Sequence, residues 1–350
     1  MQEIRIGKDG AGKRLDKFLC RYLSGAPASL LHKQLRKKNI TLNGKKSDGS
    51  EILSEGDRIC CWFSEETWEK FLHPALQTGT GEADVLIAQS VRFYREQTDV
   101  RILYEDEELL IADKPAGLLV QRAKPEDRSL NDWLIGHLTA GGQLKREELA
   151  VFRPSAMHRL DRNTSGIVLC AKTAAAAREL AGMIRERRVG KFYHALLWGE
   201  PAREGVLRGT VSKDHRKNTV VYTHMQAGDE TVPNNGTSDP SAEDGDSPVE
   251  THYRVLKRFP EEGITLVEAE LITGKPHQLR VQFAGIGHPI AGDRKYGGEQ
   301  AKVPVPGLKA AHQLLHAARI VFPETEGALQ RVSGRTFTSQ APFLTGRYAL

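Results

Sequence analysis

Apolar positions in RLDKFLCRYL (14–23) fall at Leu15, Phe18, Leu19 and Tyr22, the spacing of one helical face. A second helix is expected over SLLHKQLRKKN (29–39), after Pro27 and with Ser29 as its cap. ITLNGKK then carries an Asn43-Gly44 turn signal, and DRICCWF (57–63) reads as a strand. The adjacent Cys60 and Cys61 should point to its opposite faces. From about residue 100 the pattern becomes strand-rich. RILYEDEELLIADKP (101–115) predicts two short strands around an acidic turn, and GIVLCA (166–171) a buried strand. TAAAARELAGMIRERR (173–188) predicts a helix capped by Thr173, with a basic last turn that complements the helix dipole. KFYHALLWG (191–199) alternates, placing Tyr193, Ala195 and Leu197 on one face, and GITLVEAEL (263–271) alternates too. GKPHQLRVQFAGIG (274–287) should begin a helix with Pro276 in its first turn. No repeat emerges, and the succession of elements predicts an α+β fold with a mixed or antiparallel sheet.

This pattern divides the chain into a small domain over residues 1–64, a linker with some helix over 65–99, and a larger domain over 100–350. A length of 350 residues accommodates both, and 39% apolar with 27% charged residues is ordinary for a globular protein. No apolar run approaches a membrane span, and MQEIRIGKDG lacks the apolar centre of a signal peptide. The four cysteines, at 20, 60, 61 and 170, show neither metal-ligand nor disulfide-framework spacing. A reduced, cytoplasmic protein without a metal or other cofactor is expected.

Charge sharpens the reading. Residues 225–250 carry seven acidic and no basic side chains, so the rest of the chain holds +12 against +5 for the whole. This Ser/Pro/Gly/Asp-rich tract is expected to be a disordered surface insertion. From Lys13 to Lys46, ten Lys/Arg face the single acid Asp16. An RNA- or DNA-binding surface is expected there, with Arg14, Lys17, Lys33, Arg36, Lys37 and Lys38 as phosphate contacts. IRIGKDGAGKR (4–14) imitates a phosphate-binding loop, but Arg14 stands where the metal-binding Ser or Thr is required. No nucleotide cofactor is therefore expected.

Three stretches of the larger domain contain residues that a core does not require. HRLDRNTSG (158–166) sets Asp161 among a histidine and two arginines before a buried strand. KFYHALLWG contributes Tyr193, and TGKPHQLR places His277 and Arg280 three residues apart. Each alone has a bland counterpart: a turn carboxylate, a core aromatic and an exposed basic helix start.

Together, HRLDRNTSGIVLCAKT, Lys191-Phe-Tyr193-His-Ala195-Leu196 and ITGKPHQLRVQFAGIGHPIAGDRKYG resemble the RluA family of pseudouridine synthases. LLIADKPAGLLVQ (109–121) and LLHA (314–317) match further family segments, so the resemblance spans about residues 100–350. GAPASLLHKQLRKKNITLNGKK (25–46) resembles the S-four-type RNA-binding module, most like that of the RluC branch, which modifies large-subunit ribosomal RNA. Lys275 departs from the family's usual arginine and loses its bidentate fork.

The resemblance implies a pseudouridine-synthase fold, with a mixed, largely antiparallel sheet flanked by helices and loops, beside the small α+β RNA-binding domain. It implies an isomerase that detaches uracil from ribose, turns it and rejoins it through carbon, without a metal or redox cofactor. Asp161 is then the essential carboxylate, with attack on the base, attack on the sugar and assistance to a glycal all open. Arg280 is its ion-pair partner, since a nearby opposite charge favours the ionised form. Tyr193 stacks on the uracil, and Arg159 fills the gap left by the flipped base, whose extrusion costs a few kcal/mol. The expected partner is RNA, with no membrane association and a monomeric chain. The rival reading is a non-catalytic RNA-binding or ribosome-assembly factor on the same fold.

Overall fold

The structure is a computed structural model that describes residues 1–73, 76, 82–214, 219–225, 246–308 and 310–349. In its N-terminal part, β1 (Gln2–Arg5), β2 (Ile40–Leu42), β3 (Lys45–Lys46) and β4 (Arg58–Cys61) form an antiparallel sheet in the order β1-β4-β2-β3. Helices α1 (Leu15–Tyr22) and α2 (Ala28–Arg36) cover it, burying Leu15, Phe18, Leu19, Leu31 and Leu35 against Ile40 and Ile59. Asn43 and Gly44 both have positive φ, 51° and 76°, as the tight β2–β3 hairpin requires. Cys61 is buried and Cys60 half-buried, as their alternation predicts. Ser29 is not the cap of α2. The helix starts one residue before it, with Pro27 in extended geometry at the cap and no side-chain capping bond.

Helix α3 (Glu65–Phe71) and helix α4 (Glu82–Glu96) follow. Residues 65–99, expected as a linker, contribute core: Ala83 and Phe93 of α4 join the hydrophobic cluster of α5 (Leu130–Ala140). The two helices approach so closely that a Cβ on Gly136 would lie 2.1 Å from the Ser90 carbonyl oxygen.

The large sheet comprises β5 (Arg101–Glu105), β6 (Leu109–Lys114), β7 (Ser155–Ala156), β8 (Ser165–Ala171), β9 (Gly190–Trp198), β10 (Glu204–Asp214), β11 (Thr219–His224), β12 (Ser247–Phe259), β13 (Ile264–Leu271), β14 (Leu315–Val321) and β15 (Thr336–Thr338). Its main order is β11-β10-β12-β13-β9-β14-β8-β6-β5, with β15 on β14 and β7 on β8. Among the described strand pairs of this sheet only β14–β8 is parallel, so the sheet is mixed and largely antiparallel, as expected. Helix α6 (Ala174–Arg185), capped by Thr173, covers one face with Ala176, Leu180 and Met183. Helices α5 and α7 (Gln278–Gly285) cover the other, where Leu134 and Leu279 share a core with Tyr193, Ala195 and Leu197.

Most of the acidic tract, residues 226–245, lies outside the described residues. Its end is ordered pairing rather than insertion: Ser247 and Glu250 already sit in β12 opposite Val211 and Arg208. Pro276 precedes α7 instead of entering its first turn, because His277 takes a left-handed φ of 55° at the cap. Ser165 and Gly166 likewise belong to β8, and the preceding turn closes from Thr164 N–H to the Asp161 carbonyl at 3.0 Å.

The small sheet domain rests on the larger one. Lys8 pairs with Glu108, and the Ala174 N–H at the start of α6 donates to Asp9 at 2.9 Å. Lys13 and Arg21 donate to the carbonyls of Val151 and Ala150 at 2.7 and 2.9 Å. Lys13, which a phosphate-binding loop would aim at a nucleotide, thus serves docking, and β1 lies in an antiparallel sheet.

Candidate active site

The site forms where the loop before β8 meets the start of α7. Leu160 is buried and anchors that loop in the core, while Asp161 beside it keeps its side chain 22% exposed. His158 Nε2 accepts from the Leu169 N–H at 3.1 Å. Burial, reinforced by Lys191, pushes this imidazole down to about 3, which suits a neutral acceptor.

Lys114, at the end of the apolar strand β6, is fully buried. Its ammonium donates to the carbonyls of Pro115, Leu118 and Arg162 at 2.9, 2.8 and 3.1 Å. The Arg162 carbonyl also accepts from the Gly117 N–H at 2.9 Å, so Lys114 staples the loop after β6 to the Asp161 loop. Burial pushes its ammonium down to about 7, against the upward pull of Asp161 and Asp113.

Arg280 is 8% exposed and binds two carboxylates. Its Nη1 donates to Asp161 Oδ2 at 3.0 Å, while Nε and Nη2 grip Asp293 at 2.7 and 2.9 Å. Bidentate pairing of this kind fixes direction as well as charge. Asp293 is 1% exposed, and its Oδ1 accepts also from the Lys295 and Tyr296 N–H groups. Burial alone would raise its pKa, but Arg280 and these amides outweigh it and hold the carboxyl below its ordinary range. Burial opposes the charge of Arg280 as well, and the two carboxylates reverse the balance and raise its pKa.

His277 Nε2 lies 3.9 Å from Asp161 Oδ1, while Nδ1 is 2.7 Å from the Tyr296 hydroxyl. Its left-handed backbone turns the imidazole toward the carboxylate from one residue outside α7. Burial lowers its pKa, countered in part by Asp161. Tyr193 stands on β9, buried, with its phenol pushed above the ordinary value first by burial and then by Asp161. Register sets it opposite Ala317, which is itself opposite Gly166. Two small residues, Ala317 and Gly166, therefore separate Tyr193 from the start of β8 and let these strands pack closely. Gly166 has φ 112°, and a Cβ there would lie 2.3 Å from the Ala317 carbonyl oxygen.

Asp161, Tyr193 and Arg280, expected together from separate stretches, do converge. Arg159 is exposed beside them, and the Arg162 side chain makes a long 3.7 Å contact with Asp127. Lys275 is half-buried, and its N–H donates to Gln278 Oε1 at 3.1 Å. Lys17, Lys33, Arg36, Lys37 and Lys38 are exposed, whereas Arg14 is engaged by Asp16 at 2.9 Å. Asp293 and Lys114 were not singled out from sequence. The available signals were an acid after HPIAG and a lysine closing the apolar run LLIAD.

Residues 108–285, which hold Asp161, Tyr193 and Arg280, match the family model described as RNA pseudouridylate synthase. The ribosomal large subunit pseudouridine synthase C of Vibrio parahaemolyticus is 30% identical, over 92% of this chain and 88% of its own. The protein of the same name from Escherichia coli is 31% identical, over 91% and 88%. A solved structure of human RNA pseudouridylate synthase domain containing 4 is 25% identical, with a TM-score of 0.53 over 73% of this chain and 94% of that one. With the family model covering half of its length and such relatives most of it, this chain belongs to the RNA pseudouridylate synthase family, in its RluA group.

Proposed function

We propose that the protein converts uridines of large-subunit ribosomal RNA to pseudouridine, with Asp161 as the carboxylate that acts on the target nucleotide. The observation that carries this reading is the Asp161–Arg280–Asp293 array, in which a buried fork aims one N–H at a part-exposed carboxylate. A turn carboxylate of no chemical use would not need a buried arginine held by a second, fully buried acid. The choice of ribosomal RNA draws support from the names and coverage of the Vibrio and Escherichia relatives.

In this account a uridine leaves its stack and enters beside Tyr193, whose ring positions it. A phenol held above its ordinary value is a poor base at neutral pH, so positioning is its part. The exposed Arg159 occupies the gap in the RNA. Residues 1–64 form the RNA-binding domain, with the exposed Lys33, Arg36, Lys37 and Lys38 on flanking phosphates, and residues 100–350 the catalytic domain, to which α4 adds core. In this reading the enzyme acts as a monomer, in the cytoplasm where its RNA is made. The non-catalytic alternative is disfavoured because the array is complete.

The test is to map pseudouridines in large-subunit ribosomal RNA from cells with and without the protein. Loss of specific pseudouridines, restored by the wild-type chain, is expected. An unchanged map would overturn the assignment.

A further inference from the structure

We infer that the cleft between the two domains is a second RNA-binding site, gripping a phosphodiester of the substrate strand through Arg21 and Arg153. This rests on the proposed RNA substrate and extends it to a place outside the catalytic pocket. The cleft has a volume of about 450 Å³ and is lined by Arg21 of α1 and by Arg122, Ser129, Asn131, Asp132, Arg153 and Ser155 of the larger domain.

Its charges are not equivalent. Arg122 is committed to Asp132, with Nε at 2.9 Å and Nη2 at 2.8 Å, and Asp132 also accepts from Ser129 at the start of α5. That acid is neutralised where it stands. Arg21 uses only Nε on the Ala150 carbonyl, and among the described residues Arg21 and Arg153 have no carboxylate within ion-pair distance. Asn131 accepts the Ala156 N–H through Oδ1, which leaves its amide N–H groups as donors. The wall therefore presents donors and an excess of positive charge, three arginines against the single Asp132, the complement of a phosphodiester.

Location favours a phosphate within a strand over a free ion. The cleft is open to solvent and joins α1 of the proposed RNA-binding domain to β7. Ser155 of β7 pairs with Ala171, at the far end of β8 from the loop that carries Asp161. Strand rise makes the interval about 20 Å, a few nucleotides of RNA. Helix α5 and Tyr193 pack into one core, so cleft and active site share a face of the sheet.

The test compares the full chain carrying Asp161→Asn with the same chain carrying Arg153→Ala as well, titrated with a large-subunit ribosomal RNA transcript across a range of salt. Loss of one phosphate contact should weaken binding roughly tenfold at moderate salt and lower the log–log salt slope by about 0.7–0.9. Arg153→Lys, which keeps the charge, should restore the slope. Equal affinity and equal slope for the Arg153→Ala chain would overturn the inference, as would failure of Arg153→Lys to restore the slope. Inorganic phosphate alone, titrated into both chains without RNA, should show no tight Arg153-dependent binding. Such binding, together with RNA affinity that is indifferent to Arg153→Ala, would assign the cleft to free phosphate and overturn the RNA reading. Binding is read without turnover. Arg153-dependent binding by a protein that makes no pseudouridine would thus defeat the proposed activity and leave the cleft standing, and activity without such binding would do the reverse.

Discussion

Replacing Asp293 with asparagine keeps the size of the side chain and removes the charge that holds Arg280. Asp293 accepts two guanidinium N–H groups at 2.7 and 2.9 Å, and an asparagine must aim its own N–H₂ at one of them. Hydrogen bonds to charged groups contribute roughly 1.5–3 kcal/mol each, and breaking a buried pair costs about 3–5 kcal/mol. Asp161 remains as a second carboxylate 3.0 Å from Nη1, so the expected loss is at the low end, about 2–3 kcal/mol. In a domain of this size that amounts to a melting-temperature drop of roughly 5–10 °C. The larger effect falls on chemistry. Arg280 would swing toward Asp161, and a displacement of about 1 Å at a reacting group can cost on the order of a hundredfold in rate. The assay is release of tritium from C5 of labelled uridine, the atom that becomes the glycosidic carbon, in single turnover at saturating RNA. A fall of ten- to a hundredfold with little change in RNA affinity is expected. A wild-type rate from a folded Asp293→Asn protein would refute the argument that Asp293 aims Arg280.

Gly166→Ala should destabilise the catalytic domain by about 3–5 kcal/mol, since both a left-handed φ and a backbone clash with Ala317 oppose it. Chemical denaturation measures this, and a loss under about 1 kcal/mol would show that β8 and β14 separate more easily than their register implies. His316 is fully buried between Ser165 and Ser339, and burial pushes it down to about 4 from an ordinary 6.5. A pKa lower in the folded than in the unfolded chain favours the neutral imidazole, so its contribution is complete above pH 6.5 and is lost as pH falls toward 4. Unfolding free energy should therefore decline through that window, and His316→Gln should flatten the slope by up to about 1.4 kcal/mol per pH unit. Parallel slopes for the two proteins would contradict the assignment.

The elements legible in sequence were those specified by neighbours along the chain. Thr173 caps α6 through the Ala176 N–H, and alternation in β9 put Tyr193, Ala195 and Leu197 on the core face. Ser29 and Pro276 misled at helix starts. Each stands within two residues of the boundary, and backbone geometry at Pro27 and His277 decided it. The apolar side of α4 was present in EADVLIAQSVRFYRE, but its partner is the close approach at Gly136 of α5, which no local pattern announces. At the site, the ion pair between Asp161 and Arg280 followed from family resemblance rather than from spacing. Asp293 was hidden because its role depends on a turn that returns it to α7, and Lys114 because its partners are main-chain carbonyls, which leave no mark in a sequence.

The central claim is that Asp161 performs the chemistry, and Asp161→Asn tests it most directly. Tritium release from C5-labelled uridine in large-subunit ribosomal RNA should fall to background while the variant binds that RNA as tightly as the wild type. Turnover by the Asp161→Asn protein at the wild-type rate would contradict the account.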